Sequence, residues 1–136
     1  MIKQIIVMRK DLKMRKGKMI AQGAHASLKV FLDIGQVIPH FIHTMGKPDS
    51  HEFMFPLSDS MKEWVEGIFT KICVSVQSEE ELLKVYSEAK EAGLPCALIQ
   101  DVGKTEFNGV PTYTCCAIGP DKSEKVDLIT GELPLL

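Results

Sequence analysis

The chain has 136 residues, of which 45% are hydrophobic and 25% charged, enough for a single domain over residues 1–136 that needs no metal or disulfide staples. No apolar run approaches the roughly 20 residues that cross a bilayer, and the short apolar stretch after Met1 has no small-residue cleavage site behind it, so a cytoplasmic location and no membrane partner are expected. The net charge of −2 hides an asymmetry: Lys3, Arg9, Lys10, Lys13, Arg15, Lys16 and Lys18 stand against Asp11 alone in residues 1–18, a net +6 that leaves −8 on the remainder. That pattern points to a confined anion site, not to general coating of nucleic acid.

Ile2–Met8 is a nearly continuous apolar run, the signature of a buried central strand. A basic loop follows, and then a helix predicted over Gly17–Asp33. Its apolar side reads as Ala21, Ala24, Leu28 and Phe31 or Leu32, while Lys18, Gln22, His25 and Lys29 share the other side at helical spacing. Residues 35–60 contain Gly35, Pro39, Gly46, Pro48 and Pro56 among many polar residues and read as an insertion with little regular structure. A short amphipathic turn or helix near Met61–Gly67 leads into a strand over Lys71–Val76. Ser78-Glu79-Glu80-Glu81 is a capping box that starts a helix running to about Ala92, with Gly93 placed to end it.

A strand over Cys96–Gln100, a loop over Asp101–Pro111 and a strand over Tyr113–Ile118 complete the pattern, with Gly119-Pro120 expected to stop the last strand. The closing DLITGELPLL reads as a surface turn and an extended end. This order predicts an α/β protein: three layers, α/β/α, around a mixed four-stranded sheet. Right-handed crossovers make its first three strands parallel, and the short last loop makes the fourth antiparallel.

Open α/β sheets bind ligands beyond the carboxyl ends of their parallel strands. The basic loop Arg9–Lys18 leaves the first strand there, Asp101 leaves the third, and an antiparallel last strand brings Thr112 and Thr114 to the same edge. Lys18 falls in the first helical turn, where a cation opposes the helix dipole and free backbone N–H groups favour an anion. Other motifs are missing: there is no GxxxxGK[ST], GxGxxG or GxSxG. His40, His43 and His51 have no strict ligand spacing, and Cys73, Cys96, Cys115 and Cys116 form no CxxC pair. They read as surface histidines and reduced cysteines, and no metal or cofactor is expected.

Lys10-Asp11-Leu12-Lys13-Met14-Arg15-Lys16-Gly17-Lys18-Met19-Ile20-Ala21-Gln22, followed by Ala24-His25-Ala26, resembles the opening block of the type 2 peptidyl-tRNA hydrolases. Ile99-Gln100-Asp101-Val102-Gly103-Lys104-Thr105 resembles their second block, and Thr114 with Ala117-Ile118-Gly119-Pro120 and the ITGELPL ending their third. The resemblance spans nearly the whole chain. It implies hydrolysis of the ester that joins a peptide to tRNA, a mixed four-stranded α/β/α fold and a homodimer. It also implies catalytic roles for Lys18, Asp101, Thr105 and Thr114, with Gln22 and His25 in support. Arg9, Lys10, Lys13, Arg15 and Lys16 then read as contacts to tRNA phosphates, which give affinity without reading bases. Many members have a glycine at the start of the segment leading to the last strand, where this chain reads Asn108-Gly109-Val110-Pro111-Thr112. The resemblance implies one added residue there, so Thr112 competes with Thr114 for the functional position. Two other classes stay open. A non-catalytic RNA-binding or adaptor protein on the same fold would keep the basic cluster without needing Asp101 and both threonines. A small-molecule hydrolase or transferase at the same edge would not need so many basic residues.

Overall fold

In the computed structural model, which describes residues 1–43 and 45–136, the opening apolar run becomes β1 (Ile2–Arg9), buried from Lys3 to Met8. The further elements are α1 (Lys16–Leu32), β2 (Gln36–His40), β3 (Ser50–Met54), α2 (Asp59–Glu66), β4 (Lys71–Val76), α3 (Glu79–Glu91), β5 (Cys96–Asp101), β6 (Thr112–Lys122) and α4 (Ser123–Thr130). Four strands form a mixed sheet in the order β4-β1-β6-β5. The expected parallel pairing of three strands is corrected, although β1, β4 and β5 do share one direction. Only β1 and β4 pair in parallel, because β6 is inserted between β1 and β5 and runs against both. A strand that follows β5 through a short loop pairs with it at once, and in this chain its other edge pairs with β1. β1 and β5 still end at one edge of the sheet, and β6 begins there.

Successive residues of a strand face opposite ways, and β1 serves two cores accordingly. Ile6 and Met8 pack with Ala26, Val30 and Phe31 of α1 and with Met61 and Trp64 of α2. Ile5 and Val7 pack with Leu82, Val85 and Ala89 of α3 and Val126 of α4. Ser78 caps α3 by accepting from the Glu81 N–H at 3.1 Å, and the Glu81 carboxylate reaches back to the Gln77 N–H at 2.8 Å. Gly93, with φ of 73°, takes the left-handed conformation that closes the helix.

Three local expectations are corrected. The irregularity expected of residues 35–60 is corrected in part: β2 and β3 pair as an antiparallel hairpin from Gln36↔Met54 to His40↔Ser50, while the described residues at 41–43, 45–49 and 55–58 carry no helix or strand. Pro39 disguises the strand in sequence, but each strand of a two-stranded ribbon has a free edge, where a missing N–H costs nothing. Gly119-Pro120 does not stop β6. It lies where the β1–β6 register shifts between Lys3 and Ile5, a bulge at which proline loses no ladder bond. The DLIT segment forms the second half of α4, held to β1 by Lys3 Nζ donating to Asp127 Oδ1 at 2.7 Å. Only the last residues are extended, and they lie along β4, with Ser75 N–H donating to the Pro134 carbonyl and Leu136 N–H to the Cys73 carbonyl.

The buried face of α1 also differs from the expected one. Gln22, Gly23, Ala26, Val30 and Phe31 are buried, while Ala21, Ala24 and Leu28 are exposed. Apolar counting assigns Gln22 to solvent. Its amide is instead satisfied internally, which allows a polar residue to sit in the packed face. Among the described residues no helix is long and apolar enough to cross a membrane.

Candidate active site

Lys18 and Gln22 stand one turn apart on α1 and therefore project from the same face. That face meets the carboxyl end of β5, where Asp101 is the last strand residue. Lys18 Nζ donates to Asp101 Oδ1 at 2.8 Å and to Thr105 Oγ1 at 3.0 Å. Gln22 Nε2 donates to the same Asp101 oxygen at 3.3 Å. The other oxygen, Oδ2, accepts the Gly103 N–H at 2.8 Å. Lys18 and Asp101 side chains keep only 15% and 13% of their exposure, so their pairing is shielded from solvent far more than a surface ion pair.

These donors fix the ionisation of Asp101. The Lys18 hydrogen bond, with smaller help from the Gly103 N–H, the Lys18 charge and Gln22, holds its carboxyl below the usual aspartate range against the opposing effect of burial. Asp101 is therefore an anion at neutral pH. Lys18 also lies 5.8 Å from the centre of the Phe107 ring, which packs against the core beneath.

The two threonines of the cluster occupy different settings. Thr105 is exposed, and its oxygen accepts from Lys18. Thr114 is fully buried and donates to Gln22 Oε1 at 2.5 Å. Thr112 donates to the Val110 carbonyl at 2.9 Å and lies outside the cluster. Cys115, beside Thr114, donates its thiol to the Gln22 carbonyl, and burial pushes its pKa up to about 12. It stays a thiol and is no nucleophile at neutral pH. His25 is exposed and takes no part in the hydrogen-bonded cluster.

The basic residues divide as well. Arg9, with its side chain 11% exposed, is held by both oxygens of Asp11 and donates to the Tyr113 carbonyl. These bonds brace the edge of the sheet. Arg15 is 81% exposed but pairs with Glu106 at 2.8 Å, which ties the entry to α1 to the loop after β5. Lys10, Lys13 and Lys16 are exposed without an ion pair among the described residues. Lys104 is exposed beside Thr105 and adds a cation that the net-charge reading of residues 1–18 missed. Its position next to Thr105 in sequence was the available signal. No group of three or more His, Cys, Asp and Glu side chains suited to a metal forms among the described residues.

The chain matches the family described as Peptidyl-tRNA hydrolase PTH2 over residues 2–136. It is 40% identical over 135 residues to a peptidyl-tRNA hydrolase of Methanocaldococcus jannaschii, covering 99% of this chain and 100% of that protein. It is 39% identical over 136 residues to one of Methanopyrus kandleri, covering 100% of this chain and 99% of that protein. The chain belongs to the PTH2 family of peptidyl-tRNA hydrolases.

The geometry of the loop after β5 generates one prediction. Gly103 has φ of 85°, and a Cβ there would lie 2.3 Å from the Val110 carbonyl oxygen. Gly103→Ala must therefore open the loop, move Thr105 and loosen the N–H bond to Asp101. Activity should fall at least about tenfold, or roughly 1.4 kcal/mol of transition-state stabilisation. Far-ultraviolet circular dichroism should be unchanged, since the loop carries no helix or strand. Wild-type turnover by a folded Gly103→Ala protein would show that this loop does not hold the site.

Proposed function

We propose that this chain hydrolyses the ester joining a peptide to the terminal ribose of tRNA with Lys18, Asp101 and Thr105 as its working groups. The observation that carries the reading is a shielded lysine–aspartate pair, bonded to an exposed threonine, at a sheet edge that also carries unpaired lysines. Asp101 Oδ1 is filled by two donors, while Oδ2 holds only the Gly103 N–H and keeps a lone pair for a water. An ionised carboxylate with a depressed pKa is a weak proton acceptor, so its main contribution is to orient that water. An ammonium has three donors, and Lys18 uses two of them. The third is available to the oxyanion that forms when water adds to the ester carbonyl. Thr105 accepts from Lys18, which leaves its own hydroxyl proton free for substrate. Collapse of the tetrahedral adduct breaks the bond from the carbonyl carbon to the ribose oxygen: one proton of the added water goes to the departing ribose oxygen, and the other passes to solvent as the peptide leaves as its carboxylate.

Lys10, Lys13, Lys16 and Lys104 suit the tRNA backbone, with Arg15 joining where its exposed side chain reaches a phosphate. Phosphate contacts of this kind supply salt-sensitive affinity. The two cores on opposite faces of β1 support the three-layer α/β/α reading. One domain over residues 1–136, with the hairpin as its insertion, working in the cytoplasm without a cofactor, completes it. We also propose a homodimer. Ile20, Ala24, Leu28, Phe69 and Leu136 line an open apolar groove of about 910 Å³ that includes none of the active-site cluster. A contiguous apolar surface of this kind marks an interface, and a two-fold pairing of α1 against its own copy needs only this one patch.

Lys18→Ala and Asp101→Asn should each lower kcat/KM for peptidyl-tRNA at least about tenfold, roughly 1.4 kcal/mol, with the fold intact. Near-normal turnover by folded Asp101→Asn removes it from the mechanism. The depressed pKa sets the pH dependence. The carboxylate is lost only as pH falls below the ordinary aspartate range, so wild-type kcat should stay level down to that range. Lys18→Met raises the Asp101 pKa and should bring the decline to higher pH.

Replacing Lys10, Lys13 and Lys16 together by Ala should raise KM and reduce the slope of log KM against log salt by about 2–3, as expected for three lost phosphate contacts. Cleavage of a short ester without the tRNA body should be preserved. An unchanged slope would move the tRNA surface elsewhere.

In analytical ultracentrifugation the wild-type protein should sediment at twice the chain mass, and Ile20→Asp with Leu28→Asp should sediment as a monomer. A monomeric wild type would remove the dimer.

A further inference from the structure

Thr114 should face away from α1. Cys115 and Ala117 pack on the α1 side of the sheet, while Cys116 and Ile118 pack on the α3 side, so strict alternation sends residue 114 to the α3 side. Its hydroxyl nevertheless meets Gln22 of α1. The register explains this. Ile99 pairs with Cys115 and the next residue, Gln100, pairs with Tyr113, so Thr114 is an extra residue without a partner on β5. Such a bulge re-aims one side chain of a strand. This one sets Thr114 and Cys115 on the same side, and both bond Gln22, at its amide oxygen and its backbone carbonyl respectively.

The direction of donation in this chain of groups is fixed. Asp101 is an anion with acceptors only, so the Gln22 amide must turn its NH₂ toward Oδ1. Its oxygen then faces Thr114, which has one hydroxyl proton and must donate it. With the amide reversed, two oxygens would oppose each other across the 3.3 Å contact. Thr114 is fully buried, so its hydroxyl meets neither substrate nor water.

We propose that Thr114 is a positioning residue for ester hydrolysis: the β6 bulge turns its hydroxyl onto α1, where it locks the Gln22 amide and so fixes Asp101. The inference rests on the proposed reaction for its kinetic readout only. It separates the two threonines of the site, with Thr105 facing substrate and Thr114 acting through Gln22.

The test compares Thr114→Val, which keeps the shape and removes the donor, with Thr114→Ser, which keeps the donor. Thr114→Val should lower kcat about tenfold with KM within about twofold, and Thr114→Ser should retain most activity. Gln22→Met should show a similar loss, and the double variant should be no worse than the weaker single one, since both changes break one chain. The second readout is the Asp101 carboxyl titration followed by carbon NMR. Among the charged groups on the surrounding elements, Lys18 of α1, Lys104 and Glu106 of the loop and Arg9 of β1, only Lys18 bonds Asp101. With Lys18 unchanged, loss of the Gln22 donor should raise the Asp101 pKa, by the same amount in Thr114→Val and Gln22→Met. Losses that multiply in the double variant, wild-type kcat in Thr114→Val, or a fall in kcat with the Asp101 titration unmoved would each overturn the proposal. If Thr114→Val does not fold, Gln22→Met and Thr114→Ser decide it: a normal Asp101 titration in the first, or an inactive folded second, counts against it. A wild-type protein inert toward peptidyl-tRNA would sink the proposed reaction, while the NMR titration would still decide the role of Thr114.

Discussion

A carboxylate withdrawn from water must be surrounded by donors or it will not remain ionised. Asp101 is such a group, and meeting its demand organises much of this molecule. Two donors come from α1, so the helix must cross the sheet with Lys18 and Gln22 over the end of β5. A third is the Gly103 N–H, so the chain must double back at once after the strand. Because Gln22 lies under the helix, its remaining amide oxygen also needs a partner, and β6 is distorted to supply one. Helix placement, loop shape and strand irregularity thus all serve one half-buried charge.

The amino-acid sequence shows most of the regular elements because their causes are local. The apolar run of β1, the Ser78 capping box and the stop at Gly93 each act within a few residues. Lys18 and Asp101 were legible for a related reason: element order alone brings strand ends to one edge, whereas Thr105 was legible only through the family resemblance. What escaped depends on pairing across the chain. The place of β6 between β1 and β5 is a choice of partner that no local pattern encodes. Gln22 reads as a surface residue until Asp101 and Thr114 are beside it. The bulge at Thr114 exists only as a mismatch between two strands, and the hairpin of β2 and β3 carries Pro39 and exposed side chains that mask its period.

The start of α1 shows stability yielding to chemistry. The N-cap Arg15 makes no side-chain capping bond, and the first turn carries Lys16 and Lys18 with no acidic residue. Each choice is unfavourable by a few tenths to about 1 kcal/mol at a helix N-terminus. α3 in the same chain has a serine cap and three glutamates in its first turn. Local rules are broken where a site needs positive potential and kept where only a helix is needed.

The extended end of the chain bears on how the protein avoids self-association of the wrong kind. β4 is an outer strand of the sheet, and an open strand edge is a template on which other chains can add in register. Here Pro134, Leu135 and Leu136 occupy part of that template through the Ser75 and Cys73 backbone groups. Pro134 offers a carbonyl and no N–H, so it takes a bond from β4 without presenting a full ladder of its own to the outside. Where the segment lies along β4, that stretch of the edge is no longer open to another chain.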